Sequence, residues 1–138
     1  MSTSKVTYLG DLRTNCEHLA SGNSYVTDAP VDNNGQGAAF SPTDTVATGL
    51  ANCMLTMMGI KARDMKVSLD GSTALVTKTM AANPRRISKI DVIMELPSGF
   101  DAKTKQILEN TANTCPVHHS LHPDIEKNIV FNWESLKA

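Results

Sequence analysis

The chain carries three cysteines, and two of them sit in frames that could support chemistry. Cys53 lies in the apolar run Thr48-Gly-Leu-Ala-Asn-Cys-Met-Leu-Thr-Met-Met-Gly59, and Cys115 opens Cys-Pro-Val-His-His-Ser-Leu-His122. A cysteine attacks a peroxide as its thiolate, so a reactive one needs a neighbour that favours the charge. Cys53 falls roughly twelve residues into its predicted helix, whereas the helix dipole fades within the first turn. A Met-rich surround works against the charge. A cation from elsewhere is therefore required, and Arg13 is the candidate, because a guanidinium fork can hold a thiolate and a peroxide oxygen together. Arg13 would in turn need an acid to orient it. The alternative reading of Cys53 is a plain buried cysteine. Cys115 differs, since a first-turn position favours its thiolate by up to ~1 kcal/mol at an exposed site. That suits a leaving group or a second reactive thiol, with simple packing as the alternative. Cys16 is left as the odd thiol.

His118, His119 and His122 follow Cys115 at metal-like spacing. On one short helix, Cys115 and His119 share a face and His118 and His122 share the next. Four ligands so arranged cannot close a tetrahedron, and a zinc site would need ligands from outside. No metal and no cofactor is expected, although a metal module on Cys115 and the histidines is kept as a third reading. Gly35-Gln36-Gly37 is too short for a phosphate-binding fingerprint and reads as loop.

The 138-residue length fits one domain over 1–138 with its own core. A formal charge of −1 and few aromatics exclude a nucleic-acid surface. No apolar run approaches the ~18 residues of a membrane span, and the first residues lack an apolar signal segment. A cytoplasmic, reducing setting is expected, where cysteine pairs are more often redox-active than structural.

The elements that must position the thiols follow from pattern. Strands are predicted at Lys5–Leu9, Leu12–His18 and Tyr25–Thr27, with Gly10-Asp11 and Ser21-Gly22-Asn23 as turns. Residues 28–39 read as a loop. Ser41-Pro42-Thr43-Asp44 marks a helix start: Ser41 as cap, Pro42 at the first position, Asp44 reaching back. Val46, Leu50, Cys53, Met54, Met57 and Met58 recur at helical spacing to about Arg63, and the helix should be buried on most sides. Gly49 and Gly59 suggest close packing against another element. Strands Thr73–Met80 and Ile87–Leu96 follow, with Met65–Leu69 as a short candidate before them. In Ile87–Leu96, Ile90, Val92, Met94 and Leu96 face the core. Asp101 caps a helix from Ala102 to about Asn113, Thr114 caps a short helix with Cys115 in its first turn, and Ile129–Trp133 closes as a strand. The order is α+β rather than a βαβ alternation.

Ala39-Phe-Ser-Pro-Thr-Asp-Thr-Val-Ala-Thr-Gly-Leu-Ala-Asn-Cys53 resembles the OsmC/organic hydroperoxide resistance family, in which a Ser/Asn-Pro-acid frame precedes a buried helical cysteine. Cys115-Pro-Val with Leu121 is similar to the family's second motif, and Lys78–Ile87 is also similar to such sequences. The resemblance covers essentially residues 5–134. It implies an OsmC-like α+β fold, with antiparallel sheets around the Cys-bearing helix, in an intertwined homodimer. It implies a thiol peroxidase acting on organic hydroperoxides, and on hydrogen peroxide to varying degrees. Cys53 would become a sulfenic acid, Cys115 would form a disulfide with it, and a dithiol reductant of lipoyl type would restore both. Arg13 matches the activating arginine. Thr43 stands where the best-known members carry the acid, and Asp44 comes one place later. Nine helical residues place Asp44 ~13.5 Å from Cys53, so it acts through Arg13 or only as a cap. Leu50, Met54 and Met57 would suit an alkyl tail. The alternative is a non-catalytic dimer of this fold that binds an apolar ligand.

Overall fold

The computed structural model describes residues 1–136; Lys137 and Ala138, which the single-domain reading of 1–138 includes, lie outside the described residues. The chain forms two compact units, Met1–Val46 and the part from Ala47 onward.

The first unit is a three-stranded antiparallel meander in the order β1 (Ser4–Gly10), β2 (Arg13–His18) and β3 (Ser24–Asp28). Its strands match the predicted ones, except that Leu12 belongs to the turn. Gly10, Asp11 and Leu12 all have positive φ (87°, 54° and 64°), a left-handed path that turns the chain between β1 and β2. The Leu12 N–H donates to the Tyr8 hydroxyl at 3.3 Å, which holds it there. The loop after β3 contains a short 3₁₀ turn at Val31–Asn33 and doubles back on itself. Gly35 makes that possible, since a Cβ there would lie 1.7 Å from the Ala29 carbonyl oxygen.

Helix α1 (Pro42–Asp64) starts as predicted, in a reciprocal capping box. The Asp44 N–H donates to Ser41 Oγ at 3.1 Å and the Ser41 N–H donates to Asp44 Oδ2 at 2.9 Å. The helix ends in a Schellman motif. The Val67 N–H bonds the Ala62 carbonyl, the Lys66 N–H bonds that of Arg63, and Lys66 takes a left-handed φ of 61°. That geometry replaces the short strand expected at Met65–Leu69 with an irregular link.

The second unit packs α1 from Ala47 onward against a three-stranded sheet in the order β4 (Thr73–Ala81), β5 (Arg86–Pro97), β6 (Glu126–Leu136). β4 and β5 are antiparallel, whereas β5 and β6 are parallel. The connection between the parallel pair carries α2 (Ala102–Ala112) and α3 (Pro116–Ser120). The fold is thus α+β as expected, with one parallel crossover that the order of elements did not reveal. The predicted face of β5 is the core face: Ile90, Val92, Met94 and Leu96 are fully buried, with Leu50, Met54, Met58 and Leu108. Each such side chain contributes about 1.5–3 kcal/mol by leaving water. Asp101 Oδ1 accepts the Thr104 N–H at 2.8 Å and caps α2. Trp133 donates through Nε1 to Glu109 Oε2 at 2.8 Å, tying β6 to α2.

Two expectations about α1 fail within the chain. Only the stripe Ala47, Leu50, Ala51, Met54, Met58 and Ala62 is buried; Asn52, Thr56, Gly59, Ile60 and Arg63 are exposed. A Cβ added at Gly49 or Gly59 would meet nothing within 4 Å, so among the described residues no element packs closely there. Among the described residues, no helix is long and apolar enough to cross a membrane.

Candidate functional site

The second unit brings Cys53 and Cys115 together. Cys53 is half-buried at the edge of the core, Cys115 is fully buried in it, and both are free thiols. Cys53 packs against the core cluster that contains Cys115. Helical phase explains the placement of Cys53, which adjoins Met54 and so sits on the margin of the buried stripe. Cys115 arrives from the other side, at the junction of α2 and α3.

Cys115 is itself the cap of α3, one residue later than the predicted cap at Thr114. Its Sγ accepts the His118 N–H at 3.4 Å, and Pro116 takes the first helical position. Thr114 instead closes α2, its hydroxyl donating to the Asn110 carbonyl at 3.0 Å. The expected preference for a Cys115 thiolate is overturned. Burial pushes the thiol up, and Cys53 adds to the rise; the N–H groups of His118 and Val117 oppose it. A helix of five residues has little dipole to set against that desolvation.

His118 is half-buried beside this cap. Burial, then the charge of Lys127, then His119, hold its imidazole below the usual range, so it is neutral at pH 7. The His118 and His119 rings meet edge to face at 6.2 Å. His122 turns to its own loop, accepting the Asp124 N–H at Nδ1 at 3.0 Å. Among the described residues, no three His, Cys, Asp or Glu side chains group to hold a metal.

In the first unit, Arg13 opens β2 directly opposite Asp28, the last residue of β3. Nε of Arg13 lies 3.7 Å from Oδ1 of Asp28, whose side chain is fully buried. Asp28 Oδ2 accepts the Ala38 N–H at 2.9 Å. Sequence reasoning passed over Asp28 as the first residue of a loop. The signal was an acid directly across an antiparallel register from Arg13. Asp44, the acid considered for Arg13, supplies the capping box of α1. Cys16 lies opposite Tyr25 in the same meander, with its Sγ 3.8 Å from the Thr14 hydroxyl.

The three residues considered for an alkyl tail divide. Leu50 and Met54 have no exposed surface and act as core, whereas Met57 is only partly buried against that core.

Residues 35–129 match the model of the OsmC family, described as OsmC-like protein, and the chain belongs to that family. A solved structure from Psychrobacter arcticus 273-4, described as a candidate osmotic stress induced and detoxification response protein, is 57% identical. It superposes with a TM-score of 0.92 over 95% of this chain and 96% of its own. An OsmC-like protein from Mycoplasma pneumoniae shares the fold at 17% identity, with a TM-score of 0.79 over 95% of each chain. An organic hydroperoxide resistance protein OsmC from Legionella pneumophila does so at 18% identity and a TM-score of 0.70, covering 96% of this chain and 98% of that one. A search of curated proteins found no match.

Proposed function

We propose that this chain is a thiol peroxidase that reduces organic hydroperoxides, with hydrogen peroxide as a further substrate. The Cys53 thiolate attacks one peroxide oxygen and the O–O bond breaks. The alkoxide leaves and takes a proton to become the alcohol, while Cys53 is oxidised to a sulfenic acid. The Cys115 sulfur then displaces the hydroxyl, which departs as water, and a Cys53–Cys115 disulfide forms. A dithiol reductant, of lipoyl type, exchanges with that disulfide, returns both thiols and leaves as its own cyclic disulfide. In this reading Arg13 favours the thiolate and grips the peroxide oxygen, Asp44 fixes the start of the Cys53 helix, and Met57 is the residue left to meet an alkyl tail.

The observation that carries the reading is the placement of two free thiols at one core, Cys115 buried within it and Cys53 packed against it. The descriptions of the Psychrobacter arcticus and Legionella pneumophila proteins, detoxification response and organic hydroperoxide resistance, support it. A homodimer is part of the same proposal. The open face of α1, with Ile60 about half exposed and Gly49 and Gly59 uncovered, suits close approach of a second copy.

Titration of the reduced protein with cumene hydroperoxide, counting free thiols, tests it. Rapid loss of two thiols is expected, with Cys53→Ser abolishing the loss and Cys115→Ser reducing it to one. Slow, unselective loss in every variant contradicts the peroxidase and leaves the dimer that binds an apolar ligand.

A further inference from the structure

The geometry points to Asp28 as the positioning residue for Arg13. This inference rests on the peroxidase reading for what Arg13 does, but its own evidence lies within the first unit. Antiparallel register sets the two residues face to face at the ends of β2 and β3. Asp28 is fully buried, and a buried carboxylate needs a charge partner and hydrogen bonds. Oδ2 is satisfied by the Ala38 N–H. Oδ1 is buried without a hydrogen bond, and so is Nε of Arg13, the atom it faces at 3.7 Å. The pair is thus an ionic contact just beyond hydrogen-bond length. Asp28 faces the guanidinium at Nε, one of the positions from which its planar fork can be held in a fixed orientation. An arginine that must present its fork to a thiolate and a peroxide oxygen needs that orientation.

The rest of the meander holds Asp28 in place. Its N–H donates to the Phe40 carbonyl at 2.9 Å, and the next N–H, of Ala29, donates to the Leu12 carbonyl at 3.1 Å. The neighbouring register pair, Thr14 and Thr27, is joined by a bond between hydroxyls. The carboxylate is therefore set by backbone from both sides, and Arg13 is the member with freedom to move, its side chain being 39% exposed.

The test uses Asp28→Asn, which keeps the shape and an acceptor for the Ala38 N–H but removes the charge. Two quantities are read in the full-length protein: the rate of Cys53 oxidation by cumene hydroperoxide, and the pH midpoint of Cys53 alkylation by iodoacetamide in a Cys16→Ser, Cys115→Ser background. We expect oxidation to slow by about 10- to 100-fold, the range typical when the group orienting a functional side chain is lost. The alkylation midpoint moves to higher pH. Arg13→Gln gives the same two changes, and the double variant adds nothing to either single one. Loss of thermal stability with an unmoved alkylation midpoint and oxidation rate would make Asp28 merely structural and overturn the inference. An Arg13→Gln effect without an Asp28→Asn effect would overturn it while leaving the peroxidase intact. If the wild type shows no selective oxidation, the peroxidase reading fails, and the alkylation midpoints alone decide whether Asp28 and Arg13 act as a unit. Should Asp28→Asn not fold, Arg13→Lys reads the pair from the other side, because lysine keeps the charge and lacks the Nε that Asp28 faces. Wild-type behaviour of Arg13→Lys in both measurements would overturn the inference.

Discussion

The two units of this chain bury opposite kinds of residue. From Ala47 onward the buried set is hydrophobic: Leu50, Met54 and Met58 of α1 against Ile90, Val92, Met94 and Leu96 of β5. Before Ala47 the buried residues are polar, namely Thr27, Asp28 and Ser41, while Val6, Tyr8, Leu9 and Tyr25 stay exposed. The second unit is held by area removed from water. The first is held by its backbone ladder and by a few fixed polar contacts. Stability should therefore respond to substitutions in the second unit, and the orientation of charged groups to substitutions in the first.

Met54→Ala should cost the most, about 2–5 kcal/mol in urea unfolding, since it empties space at the centre of the core. Val6→Ala, the opposite probe on exposed β1, should stay within about 0.5 kcal/mol. Equal losses at the two sites would erase the contrast. Ser41→Ala removes one half of the capping box and should cost about 1 kcal/mol. Gly59→Ala sharpens the proposed role of α1's open face. On an unpaired chain it should stabilise by up to about 1 kcal/mol through helix propensity. Against a closely packed second copy it should instead weaken the dimer, seen as a larger monomer fraction on dilution in analytical ultracentrifugation. We expect the dimer to weaken.

The smallest effect is one of pH. Burial raises the Cys115 thiol in the fold, so the native chain keeps a proton that the unfolded chain gives up. That contribution is complete below the ordinary thiol value of about 8.5 and is lost as the pH climbs above it. Melting temperature should fall through that alkaline range in the wild type, and more shallowly in Cys115→Ala.

The same contrast explains what the sequence could tell. Hydrophobic periodicity is a local signal, so the inward face of β5 was readable residue by residue. On α1 it named Leu50, Met54 and Met58 correctly but also Val46, which is exposed, and it passed over Ala47, Ala51 and Ala62, whose small side chains complete the buried stripe. Local cap chemistry was readable too, at Ser41-x-x-Asp44 and at Asp101. The Schellman ending on Lys66 was not, because the usual glycine is missing and the left-handed residue is a lysine. The parallel β5–β6 pairing depends on where a chain returns after two helices, which no short window contains. Around the thiols, sequence named Cys53 and Cys115, but only the packed core shows that both belong to it and that burial outweighs the helix end at Cys115. Arg13 was named from the charge a thiolate needs and matched by the resemblance, while Asp28 was missed because its partner is set by strand register.

The most direct test is a peptide map of the wild-type protein after one equivalent of an organic hydroperoxide, under non-reducing conditions. We expect a single cross-linked species joining the peptides of Cys53 and Cys115, with Cys16 left as a free thiol and one alcohol formed per disulfide. Oxidation confined to Cys16, or a Cys53 sulfonic acid with no cross-link to Cys115, would contradict the peroxidase reading.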